Sequence, residues 1–353
     1  MNMSDPKRNI LIIAGEPSGD RHAAGLVFEL LKLRPDLTFH GIGGDEMREA
    51  GVELLFHIEQ MSFLGFSEVI RHIPFIRKVF RDLKKWMKEF RPEAVILVDY
   101  PGFNLRLAKS AHNMNIRVVY YISPQLWAWG QNRIKKIRRY VDLMLVIFQF
   151  EQEFYSRHGI AASFVGHPLV DEIKVDLTGS EFRTRYKIPE NKKIIGFLPG
   201  SRKNEVNTLL PEMVKSAELF QHRSEVEWVV GKSVNVPRGV YDAILEGNLG
   251  IRLIEKDIYA LMKYSRVVVV ASGTATLETG YLETPMVVLY KISPLTYHIG
   301  KCLVKIKNIA MANIVLQKRV VPELVQKNVT PENICRELSD YFGDEAYYQS
   351  VAA

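Results

Sequence analysis

The feature that most constrains this chain is a rhythm. Short apolar runs rich in β-branched residues alternate with longer amphipathic stretches, and small turn residues follow the runs. In the first half the runs are 10–14, 38–42, 94–98, 117–121 and 143–147. In the second they are 193–198, 226–230, 251–254, 267–271 and 286–290. Apolar runs of strand length, separated by helical patterns such as 21–33, mark parallel strands covered on both faces. The fold class is therefore α/β, with doubly wound sheets. A chain of 353 residues exceeds one ordinary core and suits two domains of roughly 150 residues each. The rhythm lapses into a polar stretch across 171–190, which places the boundary there. The expected parts are 1–175, 176–330 and a helical segment 331–353. That last segment either closes the second domain or crosses back to the first. Ligands of doubly wound sheets bind beyond the carboxyl ends of the strands, so a cleft between two such domains is the expected seat of function.

The loops at those strand ends carry the candidate chemistry. The first strand runs into Gly15-Glu16-Pro17-Ser18-Gly19-Asp20. This matches neither the dinucleotide fingerprint nor a P-loop. Two readings fit it: a functional loop offering two carboxylates and a hydroxyl, or a turn in which Asp20 or Ser18 caps the next helix. The strand at 94–98 ends in Asp99-Tyr100-Pro101-Gly102, where an acid suits a general base, or merely a turn before proline. In the second half, Ser201 and Arg202 sit between a strand end and a helix. There an arginine fork meets phosphate well, or pairs with Glu205 on the surface. Ser272-Gly273-Thr274-Ala275 are small enough for a pyrophosphate to approach a helix N-terminus. Glu278, one turn in, can accept from both ribose hydroxyls. The competing reading is a helix capped by Ser272 or Thr274. Ser123-Pro124-Gln125-Leu126-Trp127-Ala128-Trp129 offers either an apolar ligand wall or core anchors. His167, in Gly166-His167-Pro168, is either structural or a base.

Composition narrows the classes. Lys and Arg exceed Asp and Glu by 47 − 40 = +7, which suits an anionic partner. No nucleic-acid motif accompanies that charge. The two cysteines, Cys302 and Cys335, have no ligand cluster nearby and argue against a zinc site or a disulfide scaffold. A reducing compartment is expected. No run approaches the ~18 apolar residues of a membrane span, and the N-terminal apolar run is too short for a signal peptide.

Taken in order, GEPSGD, VDYPGFN, SPQLWAW, FVGHPLVD, LPGSRKNEV, ASGTATLE and Met311-Ala312-Asn313 resemble the lipid-A-disaccharide synthase family over nearly the whole chain. The resemblance implies a GT-B glycosyltransferase fold of two Rossmann-like domains. It implies transfer of 2,3-diacylglucosamine from its UDP derivative to the 6-hydroxyl of 2,3-diacylglucosamine 1-phosphate (lipid X). The products would be a β-1,6-linked disaccharide 1-phosphate and UDP, with no cofactor and no metal. It places the enzyme at the cytoplasmic face of the Gram-negative inner membrane. Residue by residue, Glu16, Ser18 and Asp20 fall in the first glycine loop, with Gln125 assigned beside them to the acceptor side. Asp99 matches an acid on which activity depends; Glu16 and His167 stay open as alternative bases. Ser201, Arg202, Ser272, Gly273, Thr274, Ala275, Glu278 and Asn313 fall around the UDP site. Pro17, Tyr100 and Gly102 stand where some relatives differ and leave the polar groups intact. The short C-terminal tail speaks against a dimer built on a long extension.

A membrane surface is the other expected partner. Ile76, Val79, Phe80, Leu83, Met87 and Phe90 share one helical face. Arg77, Lys78, Arg81, Lys84, Lys85 and Lys88 lie opposite. The pattern is first that of a core helix with a solvated basic face, and that face also suits contact with anionic lipid. The apolar stretches 61–66 and 70–75 suit acyl chains, and Arg133-Ile134-Lys135-Lys136-Ile137-Arg138-Arg139 adds a second basic cluster.

Overall fold

The computed structural model describes residues 8–60, 66–221, 223–247, 250–293, 297 and 308–352. The chain divides into two compact units, Met1–Pro168 and Leu169–Ala353. The first carries strands β1 (Arg8–Ala14), β2 (Leu37–Gly43), β3 (Glu53–His57), β4 (Ala94–Val98), β5 (Arg117–Tyr121), β6 (Leu143–Val146) and β7 (Ala162–Phe164). They form one parallel sheet in the order β3-β2-β1-β4-β5-β6-β7. The second unit carries β8 (Lys193–Leu198), β9 (Val226–Gly231), β10 (Ile251–Ile254), β11 (Val267–Ala271), β12 (Met286–Tyr290) and β13 (Glu323–Val325). Its parallel order is β10-β9-β8-β11-β12-β13.

The strand order reverses between β1 and β4 in one sheet and between β8 and β11 in the other. Such switch points open a crevice at the carboxyl ends of the two flanking strands. Four of the loops singled out in the sequence, after β1, β4, β8 and β11, are the loops at those points.

Burial on both faces explains why the runs are continuously apolar. Val267 and Val269 of β11 enter one core with Trp228 and Leu210, while Val268 and Val270 enter the opposite core with Leu261 and Ile194. All four valines have no accessible surface, and each stabilises the sheet by about 1.5–3 kcal/mol. In the first unit, Leu11, Ile13, Val95, Leu97 and Val118 share a core with Val79, Leu83 and Met87 of helix Phe66–Phe90. That helix turns Arg77, Lys78, Arg81, Lys85 and Lys88 to solvent. Phe90 departs from the expected core face: it is 47% exposed and stacks on Trp86 at 5.0 Å. The apolar stretch 61–65 lies outside the described residues, as does Cys302. No described helix is long and apolar enough to cross a membrane.

The C-terminal helices Pro331–Gly343 and Glu345–Ala352 close the second unit. Ile334, Leu338 and Tyr341 are fully buried in its core, and Tyr347, Tyr348 and Val351 pack against it. The Cys335 thiol sits 3.0 Å from the Ser216 carbonyl, and burial pushes it up to about 11. It is a packed thiol with no sign of reactivity.

Candidate active site

In the second unit the residues assigned to the donor converge. Ser201, Arg202, Ser272, Gly273, Thr274, Ala275 and Glu278 line one cavity of about 510 Å3. The two helices that open onto it are capped differently. Helix Lys203–Leu219 is capped by its own Glu205, whose carboxylate accepts from Ser201 N (3.0 Å) and Arg202 N (3.2 Å). The same carboxylate holds the Arg202 guanidinium at 3.2 Å, so the surface-pair reading of Arg202 is also realised. Gly200 makes this possible. Its φ is +115°, and a Cβ there would lie 2.4 Å from the Glu205 carboxylate. Arg202 keeps 82% of its side chain exposed and remains able to turn toward a ligand.

Helix Thr274–Tyr281 has no side-chain cap. The expected capping by Ser272 fails because its hydroxyl points to the Ile309 carbonyl, 3.3 Å away. Thr274 is already inside the first turn. An uncapped first turn beside Gly273 offers backbone N–H groups and the positive end of the helix dipole to an anion. Glu278 receives a hydrogen bond from the Tyr259 hydroxyl at 3.2 Å, which fixes its carboxylate on the cavity wall.

Asn313 does not join them. It is fully buried, and both ends of its amide are engaged. Its Nδ2 donates to Val321 O (2.9 Å) and Glu323 Oε1 (2.8 Å), and its Oδ1 accepts from Val320 N and Val321 N. Glu323 in turn accepts from Ile309 N and Ala310 N. Asn313 braces the loop behind Ser272 rather than reaching into the cavity. Sequence reading missed Lys232 and Ser233, which line the cavity after β9. Lys232 is a largely sequestered cation, 12% exposed and 3.8 Å from Glu255. The signal was a Gly-Lys-Ser at a strand's carboxyl end without the rest of a P-loop.

In the first unit, β1 and β4 lie side by side, with Ala14 opposite Val98. Asp99 and Tyr100 follow, both left-handed with φ of 44°. Two consecutive left-handed residues with side chains are strained and need outside support. Asp99 gets it from three bonds: its N–H donates to Tyr121 O, and its carbonyl accepts from Tyr120 Oη (2.5 Å) and Asn104 Nδ2 (2.8 Å). Tyr100 lays its ring on Gly15, where any Cβ would sit 2.3 Å from the ring. The GEPSGD and VDYPGFN loops are thereby locked together. Burial, and then the charge of Glu16, raise the Asp99 carboxyl to about 6. A base poised there is mostly ionised at neutral pH and still basic enough to take a proton.

The other first-unit candidates separate into roles. Asp20 is buried and accepts from Gly44 N (2.6 Å), Met47 N (3.2 Å) and Glu46 N (3.2 Å). It caps the next helix, Asp45–Glu49, rather than its own, because its side chain faces β2 and not solvent. Ser18 is exposed on the first turn of helix Pro17–Leu33, which has no side-chain cap. Gln125 is exposed, and its backbone carbonyl closes the turn to Ala128 and Trp129. Burial and the charge of His22 lower His167 to about 4, with its ring 5.1 Å from Phe148. Of the two tryptophans, Trp127 is half-buried and donates to Glu151 (3.2 Å), while Trp129 is 45% exposed. Glu151 was not foreseen. It is almost fully buried, burial raises its carboxyl, and it also accepts from Ser123 Oγ at 2.7 Å.

Two parallel-sheet domains with candidate loops at both switch points, one of them lining a cavity with an uncapped helix N-terminus and the Glu278 carboxylate, define a glycosyltransferase of GT-B architecture. The chain belongs to the lipid-A-disaccharide synthetase family, whose model matches residues 10–352. It is 40% identical over 346 residues to the lipid-A-disaccharide synthase of Geobacter sulfurreducens, covering 98% of this chain and 90% of that one. It is 42% identical over 349 residues to the enzyme of that name from Trichlorobacter lovleyi, covering 98% and 91%. Among solved structures, the UDP-GlcNAc 2-epimerase of Neisseria meningitidis superposes with a TM-score of 0.61 at 13% identity, covering 98% and 94%. MurG of Acinetobacter baumannii superposes with a TM-score of 0.59 at 13% identity, covering 98% and 94%. At these identities the structures speak for the fold alone. Among the described residues, no cluster of three or more His, Cys, Asp or Glu side chains could hold a metal ion.

Proposed function

We propose that this chain performs the reaction of its family: it transfers 2,3-diacylglucosamine from UDP-2,3-diacylglucosamine to the 6-hydroxyl of lipid X, with inversion. The observation that carries the reading is the second-domain cavity, which the uncapped helix Thr274–Tyr281, Arg202 and Glu278 line together. The diphosphate would rest on Ser272, Gly273, Thr274 and Ala275, with Ser201 and Arg202 beside it, and the ribose on Glu278. The Neisseria epimerase of the same fold is bound to UDP-GlcNAc, which fits a UDP-sugar donor here.

Asp99 takes the proton of the acceptor hydroxyl as that oxygen bonds to the anomeric carbon of the donor. The bond from that carbon to the phosphate oxygen breaks, and its electron pair leaves on UDP. Arg202 and the helix N-terminus stabilise the charge that develops there. Glu16 acts through Asp99 by keeping it basic, and Ser18 and Gln125 are exposed groups for the acceptor sugar. His167 is a weaker base than Asp99 at its lowered pKa.

The solvated basic faces of helix Phe66–Phe90 and of helix Ile134–Tyr140 suit the anionic cytoplasmic surface of the inner membrane. Combined charge reversal at Lys78, Lys85 and Lys88 should abolish flotation with anionic liposomes. Salt-insensitive flotation of the reversed variant would sink the electrostatic attachment. The reaction itself is tested by incubating the chain with UDP-2,3-diacylglucosamine and lipid X, with and without EDTA. Stoichiometric release of UDP and disaccharide 1-phosphate is expected. Release without disaccharide, or epimerisation of the donor, would overturn the assignment.

A further inference from the structure

The loop after β5 holds a cation that nothing described so far uses. Gly130 turns left-handed at φ 71° and brings Arg133 back over Trp129, with the guanidinium carbon 4.8 Å from the ring centroid. The Nη1 of Arg133 is buried and has no hydrogen-bond partner. Among the described residues, no carboxylate pairs with it. The other half-sequestered arginines each have at least one protein acceptor, although Arg252 Nε is also buried without a partner. Arg183 donates to the carbonyls of Pro189 and Lys192, Arg252 to Glu227 at 2.6 Å, and Arg266 to the Tyr341 carbonyl and Glu345. A desolvated guanidinium nitrogen left without an acceptor is costly and calls for a ligand.

Its position suggests which. β5 pairs with β4, and the Tyr120 hydroxyl bonds the Asp99 carbonyl at 2.5 Å. The charge of Arg133 is felt at that same hydroxyl. Arg133 thus lies within electrostatic range of the Tyr120 hydroxyl, which bonds the backbone carbonyl of Asp99.

We propose that Arg133, held on the face of Trp129, is the receptor for the phosphate monoester of the acceptor sugar. The inference rests on the acceptor reading given above. A guanidinium offers a planar fork that fits a phosphate at two oxygens, and the indole face holds the plane. In that arrangement a bound hexose 1-phosphate would turn its 6-hydroxyl toward Asp99 and its phosphate toward Arg133. The neighbouring Lys135, Lys136, Arg138 and Arg139 are exposed, and suit a diffuse anionic surface instead.

The test compares the full chain with Arg133→Gln, Arg133→Lys and Trp129→Phe, each checked for an unchanged melting temperature. Calorimetric titrations use glucosamine 1-phosphate, glucosamine and UDP as probes. The wild type should prefer glucosamine 1-phosphate over glucosamine by about tenfold or more, the scale of a charge-assisted hydrogen bond. Arg133→Gln should erase that preference, Arg133→Lys should keep part of it, and UDP binding should not change. In turnover, Arg133→Gln should raise KM for lipid X but not for its dephosphorylated analogue. An equal preference in wild type and Arg133→Gln, or no binding of glucosamine 1-phosphate, overturns the receptor. So does a loss confined to flotation with phosphatidylglycerol vesicles, which would make Arg133 a headgroup contact. The binding arm needs no turnover: phosphate-selective binding without disaccharide formation would count against the reaction, and turnover indifferent to Arg133 against the receptor.

Discussion

Glu16 and Asp99 meet at the carboxyl ends of the neighbouring strands β1 and β4, and the charge of Glu16 adds to burial in holding the Asp99 carboxyl at about 6. Asp99 is partly buried and Glu16 exposed. Burial and the neighbouring charge let Asp99 hold its proton to a higher pH than an ordinary carboxyl.

The first prediction follows from that pair. A base works when ionised, so kcat/KM should rise with pH through about 6 and level off above it. Glu16→Gln removes the like charge and lowers the Asp99 pKa, so the rising limb should move to lower pH. Burial, the larger cause, remains, so the limb should not reach the ordinary carboxylate range. Asp99→Asn should cut turnover by roughly 10²-fold or more with UDP affinity retained. A pH–rate profile unchanged in Glu16→Gln would remove Glu16 from this role.

Much of this was legible in sequence because parallel strands covered on both faces must be continuously apolar. Residues 94–98, 117–121, 193–198, 251–254, 267–271 and 286–290 are strands with those same bounds. The strands that escaped, Glu53–His57, Ala162–Phe164 and Glu323–Val325, are all edge strands, short or part-exposed, where burial leaves little pattern. The candidate loops were legible for the same reason: doubly wound sheets bind ligands beyond the carboxyl ends of strands at a switch point, and those loops follow β1, β4, β8 and β11. What composition could not show was where a side chain turns. Asp20 and Asn313 read as polar groups in functional loops, yet Asp20 spends its hydrogen bonds on backbone and Asn313 on backbone and Glu323. Arg133 read as one member of a basic run, and its stacking on Trp129 depends on the left-handed Gly130.

That difference yields the second prediction. Asp20→Ala strips acceptors from three backbone N–H groups at helix Asp45–Glu49. It should lower unfolding free energy by about 2–4 kcal/mol. Asn313→Ala should do similar damage around Val320 and Val321. In both, the folded fraction at low temperature should bind UDP with near-normal affinity. Denaturant melts paired with calorimetry check this; a large loss of UDP affinity without destabilisation would return Asn313 to the UDP site.

His167 supplies the third. Its pKa is lowered from an ordinary 6.5 to about 4 by burial and by His22. The folded state therefore binds its proton less readily than the unfolded state. Stability contributed by neutral His167 is present above pH 6.5 and is lost as pH falls toward 4. His167→Gln should flatten the acid side of the stability curve over that window and leave the pH–rate limb in place. A limb that moved with His167 would make it the base in place of Asp99.

The fourth concerns Glu205, which occupies the N-terminal donors of helix Lys203–Leu219 and the Arg202 guanidinium at once. A carboxylate in that position is an internal anion, satisfying the same groups that a phosphate would. Glu205→Gln keeps the shape and weakens the hold, since a neutral amide oxygen accepts less strongly from a guanidinium than a carboxylate does. Two effects should follow in opposite directions. The helix loses part of its cap, costing about 1 kcal/mol of stability. Arg202 is released toward the cavity, and UDP should bind several-fold tighter. Arg202→Ala should weaken UDP binding, and in the double variant the Glu205 substitution should bring no gain, because its benefit passes through Arg202. Calorimetry of UDP across this cycle measures the coupling directly. A fall in UDP affinity in Glu205→Gln alone would show that the carboxylate orients Arg202 for the ligand rather than competing with it.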